Sequence, residues 1–322
     1  MKYVITGGAG FIGSYLAEYL LEQGNEVTIV DNLSTGTTDN IKHLTSNPAF
    51  DVVVDSILNE KLMDHVIGSC DFIYHLAAAV GVELIIKRPV EVIETNIMGT
   101  EIVLKLASRH NKKVLITSTS EVYGKNSNIP LREDDDRVLG PTTKKRWSYA
   151  STKAINEYLA LAYREEHGLD VIIVRLFNTI GPRQTGQYGM VVPRFVEQAL
   201  TGRPITVYGD GTQIRCFTYI TDVVRAITGL THHHNTAGQI FNVGNNRTIS
   251  IMDLARRVRD LTGSKSEIVL IPYDRAYEEG FEDMQVRSPD LSKIRAFIGY
   301  EPAVDLDSAL THIIQSFSSR GA

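Results

Sequence analysis

Gly7-Gly8-Ala9-Gly10-Phe11-Ile12-Gly13 follows a strand-like run at residues 3–6 and opens an amphipathic stretch, 12–23, that Gly24 closes. Gly8, Gly10 and Gly13 fit G-x-G-x-x-G, and Gly7, Gly10 and Gly13 fit G-x-x-G-x-x-G. Glycines so spaced let the chain turn tightly and bring its backbone against a pyrophosphate, whose charge the free N–H groups of a helix N-terminus attract. A second strand-like run, 26–30, leads into Asp31, placed where a carboxylate accepts both hydroxyls of an adenosine ribose. That charge repels a 2′-phosphate, so the dinucleotide expected here is NAD rather than NADP. Phe11, Ile12, Asn32, Ser34, Thr35 and Gly36 are expected around it. Asp55 and Ser56, after a third strand, read either as the adenine side of the site or as turn residues.

Outward from this loop, short β-branched runs at 52–54, 72–75, 113–117 and 171–176 alternate with helical stretches, notably 90–109 and 147–166. That alternation predicts parallel βαβ units and a doubly wound α/β sheet, which binds ligands at the carboxyl ends of its strands. Beyond Asn178 the pattern loosens, with Gly181-Pro182, Gly186, Pro193, Gly202, Pro204, Gly209 and Gly211 punctuating short segments. The expected division is a dinucleotide domain over 1–177, to which the chain returns later, and a smaller α/β substrate-binding region over 178–322.

With 43% hydrophobic and 22% charged residues the chain reads as globular, and its net charge of -5 argues against nucleic acid or an anionic membrane as partner. Two cysteines, Cys70 and Cys216, imply no disulfide framework, and the N-terminus carries no signal-peptide pattern; a soluble, cytoplasmic protein is expected. Asp134-Asp135-Asp136 and Lys144-Lys145-Arg146 read as solvated loop faces. His232-His233-His234 reads as an exposed loop rather than a metal site, because three adjacent histidines cannot all turn toward one ion, and no metal is expected.

The chemistry is expected at the end of the fifth strand, Ile116-Thr117-Ser118-Thr119-Ser120-Glu121, and on the helix that follows. Tyr149 and Lys153, at i and i+4, share one helical face. A phenol of pKa ~10 is a poor base at neutral pH. An ammonium one turn away, with the charge of an oxidised nicotinamide, lowers that value. Thr119 is placed to hydrogen-bond the same substrate oxygen. The alternative for the Tyr–Lys pair is an ordinary surface contact.

Gly7-x-x-Gly10-x-x-Gly13, Asp31-Asn32, His75-Leu76-Ala77-Ala78, Asn96-x-x-Gly99-Thr100, Ser118-Thr119 and Tyr149-x-x-x-Lys153 together resemble the extended short-chain dehydrogenase/reductase family. Arg175-Leu176-Phe177-Asn178-x-x-Gly181-Pro182-Arg183, Val207-Tyr208-Gly209-Asp210-Gly211, Arg215-Cys216-Phe217 and Phe241-Asn242-Val243-Gly244 are similar to its sugar-nucleotide branch. The resemblance implies a Rossmann fold and an NAD site that includes Leu76, Ala77, Ala78, Asn96 and Ser118. It implies a nucleotide-sugar substrate, UDP-linked, with Asn178, Arg215 and Arg287 on the diphosphate and Ser120, Val192 and Tyr208 elsewhere along the ligand. It also implies a homodimer through a four-helix bundle of the 90–109 and 147–166 helices. His75 is then structural, Trp147 either floors the sugar site or packs in the core, and Cys216 packs.

Members of this branch oxidise a sugar C4 hydroxyl and then diverge. Dehydratases resembling this chain have an Asp-Glu pair after the threonine, where Ser120-Glu121 stands here, which weighs against dehydration. Glu121 and Arg287-Ser288-Pro289-Asp290 are similar to UDP-glucuronate decarboxylases, as Arg146-Trp147-Ser148-Tyr149 is to related synthases. Met190, where many of those decarboxylases have arginine, and Ala79-Val80-Gly81-Val82 look more like a 4-epimerase. The sequence reading therefore puts a UDP-sugar 4-epimerase first and UDP-glucuronate decarboxylase second. A binding protein without turnover is the remaining class, and intact Thr119, Tyr149 and Lys153 speak against it.

Overall fold

A computed structural model describes residues 1–186, 190–276 and 284–320. In chain order the first half comprises β1 (Lys2–Thr6), α1 (Phe11–Glu22), β2 (Glu26–Val30), β3 (Phe50–Val53) and α2 (Glu60–Gly68). β4 (Phe72–His75), α3 (Val82–Lys87), α4 (Pro89–Arg109), β5 (Lys113–Thr119) and α5 (Ser148–His167) follow. Then come β6 (Val171–Leu176), β7 (Thr179–Ile180), α6 (Val191–Leu200), β8 (Ile205–Tyr208), β9 (Ile214–Cys216) and β10 (Thr218–Tyr219). α7 (Ile220–His232), β11 (Gln239–Val243), β12 (Thr248–Ser250), α8 (Ile251–Thr262), β13 (Ile268–Ile271) and α9 (Tyr273–Ala276) continue the chain. β14 (Val286–Arg287), α10 (Ser292–Ile298) and α11 (Leu306–Arg320) end it.

Seven strands form one parallel sheet in the order β11-β6-β5-β4-β1-β2-β3. Its central strands are apolar without interruption because helices cover both faces. Tyr3 and Ile5 pack with Leu16 and Leu20 of α1 and Val223 and Ile227 of α7, whereas Val4 points the other way, into Met63 of α2 and Val103 of α4. The period of two along β1 thus divides the core between two layers. Strands 26–30, 72–75 and 171–176 fall where the residue pattern predicts them; β3 begins two residues before the expected 52, and β5 runs on to Thr119.

After residue 178 one further strand joins this sheet: β11 pairs with β6, Asn242 lying opposite Arg175. The remaining segments form small sheets, β12-β9-β14, β13-β8 and β10-β7, around the carboxyl end of the large one. Arg287 on β14 lies beside Arg215 on β9. Among the described residues no helix is long and apolar enough to cross a membrane and no cluster of His, Cys, Asp and Glu is arranged for a metal. His232, His233 and His234 are exposed at the end of α7. Trp147 is buried with Tyr123, Leu131 and Phe177, the core alternative.

Candidate active site

One cleft runs along the carboxyl ends of β1, β4, β5 and β6 and reaches β8, β9 and β14. Its inner wall is the β1–α1 turn. Gly7 has φ +72°, and a Cβ there would lie 2.8 Å from the Ala77 nitrogen. A Cβ on Gly13 would meet Gly8 Cα at 2.7 Å and Gly7 O closer still. α1 starts at Gly10 with no side-chain cap and no acid in its first turn, which leaves its N-terminal amides to an anion. Asp31 accepts from Ala9 N at 2.9 Å and Leu33 N at 2.8 Å while still lining the cleft. Burial pushes its carboxyl up, against those backbone bonds. Backbone cradle, helix terminus and carboxylate together fit a dinucleotide.

Phe11, Ile12, Asn32, Ser34, Thr35, Leu76, Ala77 and Ala78 also face the cleft. The cleft lining does not include Gly36 or Asn96. A Cβ on Gly36 would come within 2.9 Å of Asp31 Oδ2, so its smallness lets the loop close on that carboxylate. Asn96 braces the turn after β4, accepting from Ala79 N at 2.8 Å and donating to Ala79 O at 3.1 Å. Asp55 borders the cleft, yet its oxygens accept from Ser56 N and Asn59 Nδ2, the behaviour of a turn residue.

At the chemical end, the Thr119 hydroxyl accepts from Glu121 N at 3.2 Å, capping the short turn that carries Ser120 and Glu121. Tyr149 and Lys153 face the cleft from α5. Lys153 donates to the Thr117 carbonyl at 2.8 Å, and burial draws its pKa down to about 8 against the opposing charge of Glu157. Burial raises the Tyr149 phenol, Glu121 raises it further, and Arg146 opposes both. The protein alone therefore holds the phenol neutral; the lowering expected from the sequence also counts the charge of a bound oxidised nicotinamide. His75 is buried between the hydroxyls of Thr6 and Thr100, at 2.8 and 3.0 Å. Burial first, then Lys153, lowers it to about 3, which leaves a neutral structural imidazole.

Arg146 corrects the sequence reading of its charge run. It is buried, lines the cleft, and donates to Glu121 Oε2 from the short turn, Lys145–Trp147, that leads into α5. Arg287 donates to Glu121 Oε1 at 3.2 Å and to Asn178 Oδ1 at 2.9 Å. Burial would raise the Glu121 carboxyl, but the two guanidiniums override it and hold the pKa at about 2. In the sequence Arg146 stands out only within Arg146-Trp147-Ser148-Tyr149, which does not say that its side chain is buried. Asn178 also donates to Cys216 O at 2.8 Å; Cys216 itself is buried, its thiol pushed up to about 12 by burial.

The outer end holds Val192, Tyr208 and Arg215, with Gln213 and Tyr273, which sequence reading missed for want of a motif position. Gln213 donates to the Tyr273 hydroxyl. Met190 caps α6, and one turn on Arg194 stacks over Tyr208 at 3.8 Å, so a guanidinium reaches this wall despite the methionine.

Against known proteins, the family model described as GDP-mannose 4,6 dehydratase matches residues 4–313. The chain belongs to that family. It is thereby a member of the extended short-chain dehydrogenase/reductases that act on sugar nucleotides. It is 44% identical over 317 residues to the UDP-N-acetyl-alpha-D-glucosaminuronate decarboxylase of Bacillus cytotoxicus, covering 98% of this chain and 97% of the relative. It is 36% identical to UDP-glucuronic acid decarboxylase 1 of Danio rerio, covering 98% of this chain and 72% of the relative. Among solved structures, UDP-glucuronic acid 4-epimerase from Bacillus cereus with UDP-glucuronic acid and NAD superposes with a TM-score of 0.90 at 29% identity, covering 99% of this chain and 100% of that one. The cofactor is NAD, as the glycine turn and Asp31 indicate. These relatives favour the decarboxylase alternative over the 4-epimerase that the sequence reading put first.

Proposed function

We propose that the protein decarboxylates a UDP-linked hexuronic acid, UDP-glucuronate or its 2-acetamido counterpart, through a 4-keto sugar. The observation that carries the reading is Glu121 clamped between Arg146 and Arg287 beside Tyr149. Two guanidiniums, Arg146 and Arg287, line this end of the cleft, and their charge suits a sugar carboxylate. A neutral hexose carries no such group. A dehydratase needs a carboxyl that exchanges protons near neutral pH, and Glu121 at about 2 is held away from that task.

NAD supplies the oxidation at C4 and the later reduction. Tyr149 takes the C4 hydroxyl proton, and Thr119 hydrogen-bonds the same oxygen. The ketone then stands β to the C6 carboxylate, so the C5–C6 bond breaks, carbon dioxide leaves, and the electron pair enters the enolate. Arg146 and Arg287 orient the carboxylate, with Glu121 fixing both guanidiniums, and the enolate is protonated at C5 before reduction. Asn178 and Arg215 serve the diphosphate, and Arg287 joins them through its bond to Asn178. Residues 178–322 act as the substrate-binding part, apart from β11. The exposed apolar residues Val90, Ile93, Met98, Ile155 and Tyr158 on α4 and α5 support a homodimer through these helices. Two buried, unpaired thiols, Cys70 and Cys216, support a reducing cytoplasmic setting.

The test incubates purified protein with UDP-glucuronate, UDP-N-acetylglucosaminuronate, UDP-glucose and UDP-N-acetylglucosamine and resolves products by mass and NMR. Loss of carbon dioxide from a uronate is expected. Unchanged mass with inverted C4 replaces the reading with 4-epimerisation, and loss of water replaces it with dehydration.

A further inference from the structure

Lys153 is 3% exposed and donates to the Thr117 carbonyl. One turn further along α5, Glu157 is buried as well. Arg175 of β6 donates to both of its oxygens, from Nε at 3.0 Å and Nη2 at 2.7 Å, and the Ser118 hydroxyl of β5 donates to Oε1. Arg175 is anchored in turn by the Glu133 carbonyl at 2.8 Å and the Tyr123 ring at 4.8 Å. The pair is therefore oriented, its negative end on the helix that carries Lys153 and its positive end drawn toward Glu133 and Tyr123. Neither Glu157 nor Arg175 lines the cleft.

A buried ion pair is weak evidence for stability, since apolar residues of similar volume often replace one without loss. Its place directly behind the lysine of the cleft points to another use. We propose that Glu157 is a positioning residue: it keeps Lys153 protonated at the pH where Tyr149 works and, through Ser118, holds the end of β5 that carries Thr119. Arg175 fixes the carboxylate that does so. The proposal rests on the roles of Tyr149 and Lys153 given above.

The groups around Lys153 leave it no comparable carboxylate. On α5 itself stand Tyr149 and Glu157. His75 on β4 is neutral, and Glu121, in the turn after β5, is already bound by Arg146 before α5 and Arg287 on β14. β6 contributes Arg175, and α4 presents the uncharged Asn96 and Thr100, both bonded to Asn156 of α5. Glu157 is the charge that opposes the burial of Lys153. Removing it moves the lysine further below its present value of about 8, so less ammonium remains at neutral pH.

Glu157→Gln is compared with the parent holoenzyme, and Glu157→Gln/Arg175→Met serves as a version free of the unpaired cation. The alkaline limb of kcat is expected to move down by about one pH unit or more in both. KM should stay within about twofold, because neither residue faces substrate. Lysine Nζ resonances, with Lys153 identified by its loss in Lys153→Met, should titrate lower by the same amount. A uniform fall in kcat with the limb and the Lys153 titration unmoved overturns the proposal, as does failure of both variants to fold, which assigns the pair to packing. A shifted Lys153 titration without turnover of any nucleotide sugar defeats the reading of the cleft instead.

Discussion

Glu121, half-buried, and Tyr149, buried, are neighbouring acids under opposite pressures, and their ionisation follows from the cations each can reach. Burial and Glu121 keep Tyr149 neutral, and in the proposed reaction it is the group whose deprotonation must be driven. Tyr149→Phe is expected to lower kcat by roughly 10²–10⁴-fold, the range for one positioned acid–base group, with UDP-sugar binding by calorimetry retained. Turnover near the parent level would remove Tyr149 from the mechanism. Glu121 is lowered from about 4.3 in an unfolded chain to about 2. A depressed carboxyl contributes its stability above the unfolded value and loses it as pH falls through the folded one. The contribution is roughly 3 kcal/mol at neutral pH, about half of it gone by pH 3. Urea midpoints at pH 6 and pH 3 should fall more steeply for the parent than for Glu121→Gln; equal slopes count against the clamp.

At the scale of elements, the β1–α1 turn is where backbone geometry and ligand chemistry coincide. A Cβ at position 13 meets Gly8 Cα at 2.7 Å, and backbone cannot step aside as a side chain can. Gly13→Ala should therefore cost about 1–3 kcal/mol of local order, weakening NAD binding by roughly ten- to a hundredfold. Gly10→Ala, whose nearest neighbour is Gly7 O at 3.1 Å, should lose less in the same titration. This turn was legible in the sequence because three glycines, a strand before and a helix after all lie within one short segment. Arg146 was not. Its neighbours Lys144 and Lys145 mark a solvated run, and only in the folded chain is the third member buried, beside the buried Trp147.

Over the whole molecule, α4 and α5 lie side by side on one face, and their outward residues Val90, Ile155 and Tyr158 remain exposed. Apolar side chains grouped on paired helices call for a partner, and in the proposed homodimer a second copy would cover both helices at once. Light scattering should report a dimer, and Ile155→Glu/Tyr158→Lys a monomer. A parent protein that stays monomeric at micromolar concentration removes the bundle from the account.

What the sequence determined is what repeats locally: strands and helices with periods of 2 and 3.6, the glycine turn, Asp31 at a strand end, and Tyr149 and Lys153 on one helical face. Each is encoded within a few residues, so no knowledge of the rest of the chain is needed to see it. The surroundings of Glu121 are of another kind. Arg146, Glu121 and Arg287 come from three segments, the last of them 166 positions from the carboxylate it binds. The same holds for Arg175 and Glu157, joined across β6 and α5. Burial and the approach of distant charges decide which of these groups are ionised, and both are properties of the folded chain alone.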